Sequence, residues 1–318
     1  MKIAKMRMWW AALTVVVAAS AAWAADPVRV AVMADNRGTD GFVDILKAAK
    51  ALVDRPAAIL MPGDIDPPAR TRDQISTVFG KEFPWYPVVG NHEVELPEYV
   101  TWMKKDFAQR VKAGNATVVS GPKGTEETSY SFDLGPIHFV VLDEYWDGTA
   151  ENPERWARGE VAKELRAWAE KDLAASKKPW KLVVGHEPAY PAPDRDHGDA
   201  RHVGSSLDAA PEARDAFWKM LEEQHVTAYI CGHTHRYSRV QPEGSKVWQI
   251  DSGQARGDSS WKYDTFVMLT ATEGELKVET YRNLKTRGAF SIADTMTLKA
   301  AATRPAATTA PVPAGAGH

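Results

Sequence analysis

The sequence predicts an α/β protein, with a central sheet flanked by helices and completed by a second sheet. Three observations predict it. As far as Cys231, short apolar, β-rich runs alternate with segments whose apolar residues recur at helical spacing. After Cys231 the helical spacing stops and strand-like runs take over. Five of the apolar runs also end against Asp, Asn or His, as strands do when they deliver side chains to one edge of a sheet.

The elements follow in order. Val28–Met33 is a first strand, and Phe42, Ile45, Leu46, Ala49 and Leu52 mark a helix with Asp40 as its cap. Ala58–Met61 and Trp85–Val89 are further strands. Val100, Met103, Phe107 and Val111 form one helical stripe, and Val161, Leu165, Trp168 and Leu173 another. Trp180–Val184 is a buried strand, Pro211 opens a helix through Ala213, Phe217, Met220 and Leu221, and Val226–Cys231 is the next strand. Then come Tyr237–Val240, Val247–Ile250, Tyr263–Ala271 and Glu275–Tyr281, the last pair joined at Gly274 as a hairpin.

Composition bounds the function. With 318 residues, 44% hydrophobic and 25% charged, the chain is neither disordered nor a multi-span membrane protein. A net charge of −3 without a basic tract gives no reason to expect a nucleic acid polymer as partner. The single Cys231 excludes an intrachain disulfide framework and a cysteine-cluster metal site, and its place inside a strand reads as inert packing. Residues 1–24 read as a signal peptide: Lys2, Lys5 and Arg7 precede the apolar run Met8–Ala22 and an Ala22-Trp23-Ala24 cleavage pattern. The expectation is an exported, periplasmic or secreted protein with no stable membrane span after processing. A folded domain is expected over residues 25–299. Residues 300–318, rich in Ala, Pro and Thr, are expected to be a disordered tail.

The chemistry sits at the strand ends. VAVMAD ends in Asp35, AAILMPGD in Asp64, YPVVGNH in Asn91 and His92, KLVVGHE passes through His186, and AYICGHTH through His233 and His235. Glycines 63, 90, 185 and 232 allow sharp turns straight off a strand. Carboxylate and imidazole ligands without thiolate suit Zn, Mn or Fe. A carboxylate bridging two such ions is what two-metal phosphoryl transfer requires.

Asp35, Gly63-Asp64, GNHE at 90–93, GHEP at 185–188 and GHTH at 232–235 resemble, in that order, the motifs of the calcineurin-like metallophosphoesterases. The GNHE and GHTHRYSR forms lean towards the purple acid phosphatase branch, and the resemblance spans Val28 to about Arg239. It implies an αββα sandwich of two mixed β-sheets flanked by helices, with the site at the sheet edges. It implies two divalent or trivalent metal ions (Mn, Zn or Fe). Asp64 would bridge them, Asn91, His186 and His233 would complete the second, and Asp35 and His235 would belong to the first. His92 would protonate the leaving oxygen or steady the phosphoryl group. The activity implied is hydrolysis of a small phosphorylated substrate, phosphomonoesters favoured, by in-line attack of a metal-held hydroxide. The alternatives are a phosphodiesterase of the same fold, acting on a cyclic nucleotide or other diester, and a non-catalytic phosphate- or phosphoglycan-binding protein with an impaired first site.

One departure bears on the first metal. Most family members carry Asp-x-His where this chain has Asp35-Asn36-Arg37, and the purple branch carries a Tyr where this chain has Pro67. Arginine stays protonated and cannot ligate. Asn36 and Asp66 are the candidates to compensate. Two fates are open to Arg37. On an extended segment it shares a face with Asp35 and clamps a substrate phosphate; otherwise it pairs with a structural carboxylate and the first site is weak. Asp194–Asp199, with His197 and His202 nearby, reads as a solvated surface loop rather than a lid. Trp156 and Trp168, on a helix over 152–176, read as core packing. Arg256 is a candidate second phosphate contact, and Tyr190 and Tyr237 candidate pocket walls.

Overall fold

The computed structural model describes residues 26–114, 118–149, 160–258, 261–284 and 287–300. The expected signal peptide, nearly all of the expected tail, and Trp156 lie outside the described residues.

The chain runs β1 (Val28–Val32), α1 (Phe42–Lys50), β2 (Ala58–Met61), α2 (Pro68–Phe79), β3 (Trp85–Pro87), α3 (Asn91–Glu95) and α4 (Pro97–Lys112). It continues through β4 (Val119–Ser120), β5 (Tyr130–Leu134), β6 (Ile137–Val141), α5 (Lys163–Ala175), β7 (Trp180–Val184), α6 (Pro211–Glu223) and β8 (Ala228–Cys231). It ends with β9 (Tyr237–Val240), β10 (Trp248–Ser252), β11 (Tyr263–Ala271), β12 (Glu275–Leu284) and β13 (Arg287–Lys299). Two mixed sheets result. A six-stranded sheet has the order β13-β12-β11-β1-β2-β3, and a seven-stranded sheet the order β4-β5-β6-β7-β8-β10-β9. β1, β2 and β3 are parallel, as are β6, β7, β8 and β10, while β11–β13 and β9 add antiparallel edges.

The two-residue strand period sorts the core into three layers. Val30, Val32, Leu60, Val184, Ile230 and Leu269 meet between the sheets. Ala31, Met33, Ile59 and Met61 face the other way, onto Phe42, Ile45, Leu46 and Met103 of α1 and α4. Val140, Val183, Tyr229 and Cys231 face Leu165, Leu173, Phe217 and Leu221 of α5 and α6. Strands covered on both faces read as unbroken apolar runs, which is why the pattern exposed them. The product is the αββα sandwich. The later strands do not build a sheet of their own, however. β9 and β10 join β8, whereas β11 pairs antiparallel with β1.

Local readings shift in places. Gly41, not Asp40, stands at the start of α1 with no side-chain cap, and Asp40 instead pairs with Arg70 at 2.5 Å. Val111 is exposed at the end of α4, where the buried face is completed by Arg110 donating to the Trp85 carbonyl (3.0 Å). The described part of the helix expected over 152–176 starts at Lys163, with Trp168 half-buried against the α5–α6 core.

Candidate metal centre

The parallel strands set their carboxyl ends along one edge, and the chain leaves that edge through left-handed turns. Asp35, Asp64, His233 and His235 all have positive φ (55°, 53°, 69° and 62°), a conformation that non-glycine residues hold only under tertiary constraint. Gly63 (φ 83°) is needed twice over, because a Cβ there would also strike the His186 imidazole.

Asp64, Asn91, His186 and His233 converge. His186 donates from Nδ1 to the Pro62 carbonyl (2.7 Å), so its neutral ring keeps a lone pair on Nε2. That nitrogen lies 3.4 Å from Asp64 Oδ1, 3.2 Å from Asn91 Oδ1 and 3.2 Å from His233 Nδ1. His233 Nδ1 is 3.0 Å from Asn91 Oδ1. Donor atoms around a four-coordinate ion with bonds of about 2.0–2.2 Å stand roughly 3.3–3.6 Å apart, so this spacing fits one cation. Burial, then neighbouring histidines, holds His233 well below the usual imidazole range, and burial lowers His186 too, so both rings are neutral and able to ligate.

Asp35, Asp64 and His235 form the other half, their ligating atoms within 4.8 Å of one another. Asp35 Oδ2 accepts from the His233 amide (3.0 Å), while its buried Oδ1 has no hydrogen-bond donor and lies 3.5 Å from His235 Nε2. Burial, then repulsion from Asp64, raises the Asp35 carboxyl well above its usual range, a cost that a cation would relieve. Glu93 ties the Asp64 turn to the Asn91 turn. Its buried carboxylate accepts from the amides of Asp64 (2.9 Å), Ile65 (2.9 Å) and Gly90 (2.7 Å).

His92 borders both halves. Its amide donates to Asp64 Oδ1 (3.1 Å), its Nε2 is 3.7 Å from Asp64 Oδ2, and its Nδ1 meets Glu95 Oε2 at 2.9 Å. Arg37 is not on an extended segment. It has φ 51° and pairs through Nε with Asp66 at 2.5 Å, so the shared-face argument fails and the carboxylate pairing is the arrangement present. That engages Asp66; Asn36 donates from Nδ2 to Thr71 Oγ1 (2.8 Å), while its buried Oδ1, the atom able to ligate, has no hydrogen-bond partner among the described residues.

The loop read as solvated over Asp194–Asp199 is indeed exposed from 195 to 200, but it is anchored at its ends. Asp194 is buried and takes Arg282 NH1 at 3.1 Å and NH2 at 2.7 Å, and Asp199 pairs with Arg236 at 2.5 Å. So anchored, the loop brings His202 over His233, ring centroids 4.1 Å apart, and Arg201 NH1 to 2.6 Å from His235 Nδ1. Burial, then the cations Arg201 and Arg256, pushes the His235 imidazole down to about 2. No local signal marks Arg201 and His202, because the anchor Arg282 is 88 residues from Asp194. Glu144 was equally invisible, yet it accepts from the amides of His186 and Glu187 (2.8 Å each) and shapes that turn. Arg256 pairs with Asp258 at 2.7 Å. Tyr190 packs edge-on against Trp218 (ring centroids 4.9 Å apart), and Tyr237 is buried and donates to Asp294 (2.8 Å).

A two-sheet sandwich with acidic, amide and imidazole ligands at its sheet edges defines the metallophosphoesterase class. A family model described as calcineurin-like phosphoesterase matches residues 28–237, and the chain belongs to that family. Among curated relatives it is 28% identical to purple acid phosphatase 22 of Arabidopsis thaliana over 57% of this chain and 38% of that one. It is 34% identical to tartrate-resistant acid phosphatase type 5 of Mus musculus over 51% of this chain and 46% of that one. The matched stretch thus spans less than half the length of each relative. Among solved structures, one described as PhoD aligns with a TM-score of 0.58 at 12% identity, over 87% of this chain and 70% of that one. GAP50 of Plasmodium, described as the anchor in the inner membrane complex, aligns at 0.52 and 16% identity, over 87% of this chain and 90% of that one. At such identities these two show the fold alone.

Proposed function

We propose that the chain is a metal-dependent phosphoester hydrolase that favours phosphomonoesters. The observation that carries this is the convergence of Asp64, Asn91, His186 and His233 on one point beside His92. These four would hold one ion, and Asp35, Asp64 and His235 are the residues gathered for another. Bound metal supplies positive charge to the phosphoryl oxygens and makes water acidic enough to attack near neutral pH.

The chain's own groups do the rest. Glu93 holds the Asp64 and Asn91 turns in register through three amide bonds, so the ligands need little reorganisation. His92, braced at Nδ1 by Glu95, presents Nε2 on the Asp64 side to give a proton to the departing alcohol. His202 lies over the His233 ring, and the guanidinium of Arg201 reaches His235. No side-chain nucleophile is required. Export is part of the same proposal and rests on the charged and apolar segments of residues 1–24; among the described residues no helix is long and apolar enough to cross a membrane.

A second reading, a phosphate-binding protein without turnover, draws on the Arg37–Asp66 pair and the lost first-site ligand. Hydrolysis of p-nitrophenyl phosphate and of its diester bis(p-nitrophenyl) phosphate, each with Mn, Zn, Fe or no added metal, decides. Metal-dependent monoester turnover is expected. Faster diester turnover moves the substrate class, and phosphate binding without any turnover replaces the enzyme with the binding protein.

A further inference from the structure

We propose that Arg201 locks His235 in the tautomer that cannot ligate, so that the chain holds one ion tightly and a second only after Arg201 withdraws. This rests on the metal reading above and concerns how the two halves share it. A guanidinium has donors and no lone pair, so at 2.6 Å from Arg201 NH1 the Nδ1 of His235 can only accept. A neutral imidazole has one accepting nitrogen. With Nδ1 spent on Arg201, the ring proton sits on Nε2 and faces Asp35 Oδ1, 3.5 Å away. No lone pair is left for a cation at Nε2.

A ligating histidine ordinarily gives its other N–H to a carbonyl or carboxylate, which fixes the metal-ready tautomer. His186 follows that rule with the Pro62 carbonyl, and His235 inverts it. Arg201 is held in this place from two sides: it also donates to the Thr234 carbonyl (3.3 Å), and its loop is pinned by the Asp194–Arg282 and Asp199–Arg236 pairs. Its charge also lies close enough to Asp35 to be felt by it. For His235 to bind an ion, Arg201 must leave Nδ1 and the ring proton must transfer from Nε2 to Nδ1. Asp66 is engaged by Arg37, and Pro67 has no side-chain ligand atom to offset this.

The test is a Mn(II) titration of the chelator-stripped full chain, with free Mn(II) read from its electron paramagnetic resonance signal. Wild type is expected to take one Mn(II) per chain tightly and a second about 10–100-fold more weakly, the range by which partners of ligating residues change affinity. Arg201→Ala and Arg201→Gln, each checked for folding by a thermal melt, should take two of similar tightness, while His235→Ala should keep the single tight ion. Two equally tight ions in wild type overturn this inference alone. So does loss of the tight ion in His235→Ala, or an unchanged stoichiometry in both Arg201 variants. No tight Mn(II) in wild type overturns the metal reading beneath it as well.

Discussion

The site has two halves built from the same materials and tuned to opposite ends. Around His186 the ring proton is drawn to the Pro62 carbonyl and the free nitrogen faces three other donor atoms. Around His235 a guanidinium takes the lone pair, and the nitrogen left with the proton stands 3.5 Å from the Asp35 carboxylate. Both histidines follow a buried parallel strand and a glycine. The difference teaches that a residue type at a strand end does not decide what the residue can bind; the partner on its far nitrogen does.

Asp64 is where the halves meet, so its removal should have the largest effect. Asp64→Ala is expected to lower phosphatase turnover by on the order of 10³-fold or more, since it removes charge aimed at the reacting group, and to strip bound metal as well. An active, fully metallated variant breaks the comparison, because the halves would then share nothing. On the proposed reading, His92 serves the chemistry without holding an ion. His92→Ala should lower kcat by about 10²–10⁴-fold with metal content unchanged, which elemental analysis beside steady-state kinetics will read. Loss of metal would make His92 a ligand and redraw the His186 half.

Arg282 sharpens the contrast from a distance. Arg282→Met leaves Asp194 buried without its partner, which should cost about 3–5 kcal/mol in a denaturant melt. By freeing the loop it should also bring second-ion affinity closer to that of Arg201→Ala. A destabilised variant with wild-type metal stoichiometry would show that the loop holds Arg201 without this anchor.

The smallest effect concerns a third histidine, away from the site. His138 meets Asp133 at 2.8 Å through Nδ1 and Asp172 at 2.9 Å through Nε2. Burial opposes its charge, but the two carboxylates prevail and raise the imidazole above its usual value. A raised value means that the folded state holds the proton more tightly than the unfolded chain. The stabilisation is therefore complete below about pH 6.5 and fades as pH climbs through the folded value. Relative to His138→Gln, wild type should be more stable by about 1.5–3 kcal/mol at pH 6, less so at pH 9. A pH-independent difference would mean that the pairs carry no proton. Two acceptors favour the cation, one carbonyl leaves a lone pair free to ligate, and a guanidinium takes that lone pair.

Much of this was readable from residues in order. The strands covered on both faces announced themselves as apolar runs, and the strand-end motifs named the edge. Other elements hid for physical reasons. α2 is polar along most of its length and begins at Pro68, β5 and β6 carry Ser131, Asp133 and His138 among their apolar residues, and β13 is an edge strand with exposed positions. The loop leading to Arg201 and His202 is exposed over 195–200 as its polarity suggests, but its anchors, Arg236 and Arg282, lie far along the chain.

By itself, then, the amino-acid order determined which side chains reach the sheet edge, because strand period and glycine turns are local properties of the chain. Set beside the family's motifs, it also marked Arg37 and Pro67 as departures at the first site. Only the tertiary structure decided which nitrogen of each histidine is free, because a tautomer is set by whatever lies within hydrogen-bond reach of the ring. For His235 that neighbour arrives on a loop anchored by Arg236 and by Arg282 of β12, beyond the reach of any local pattern.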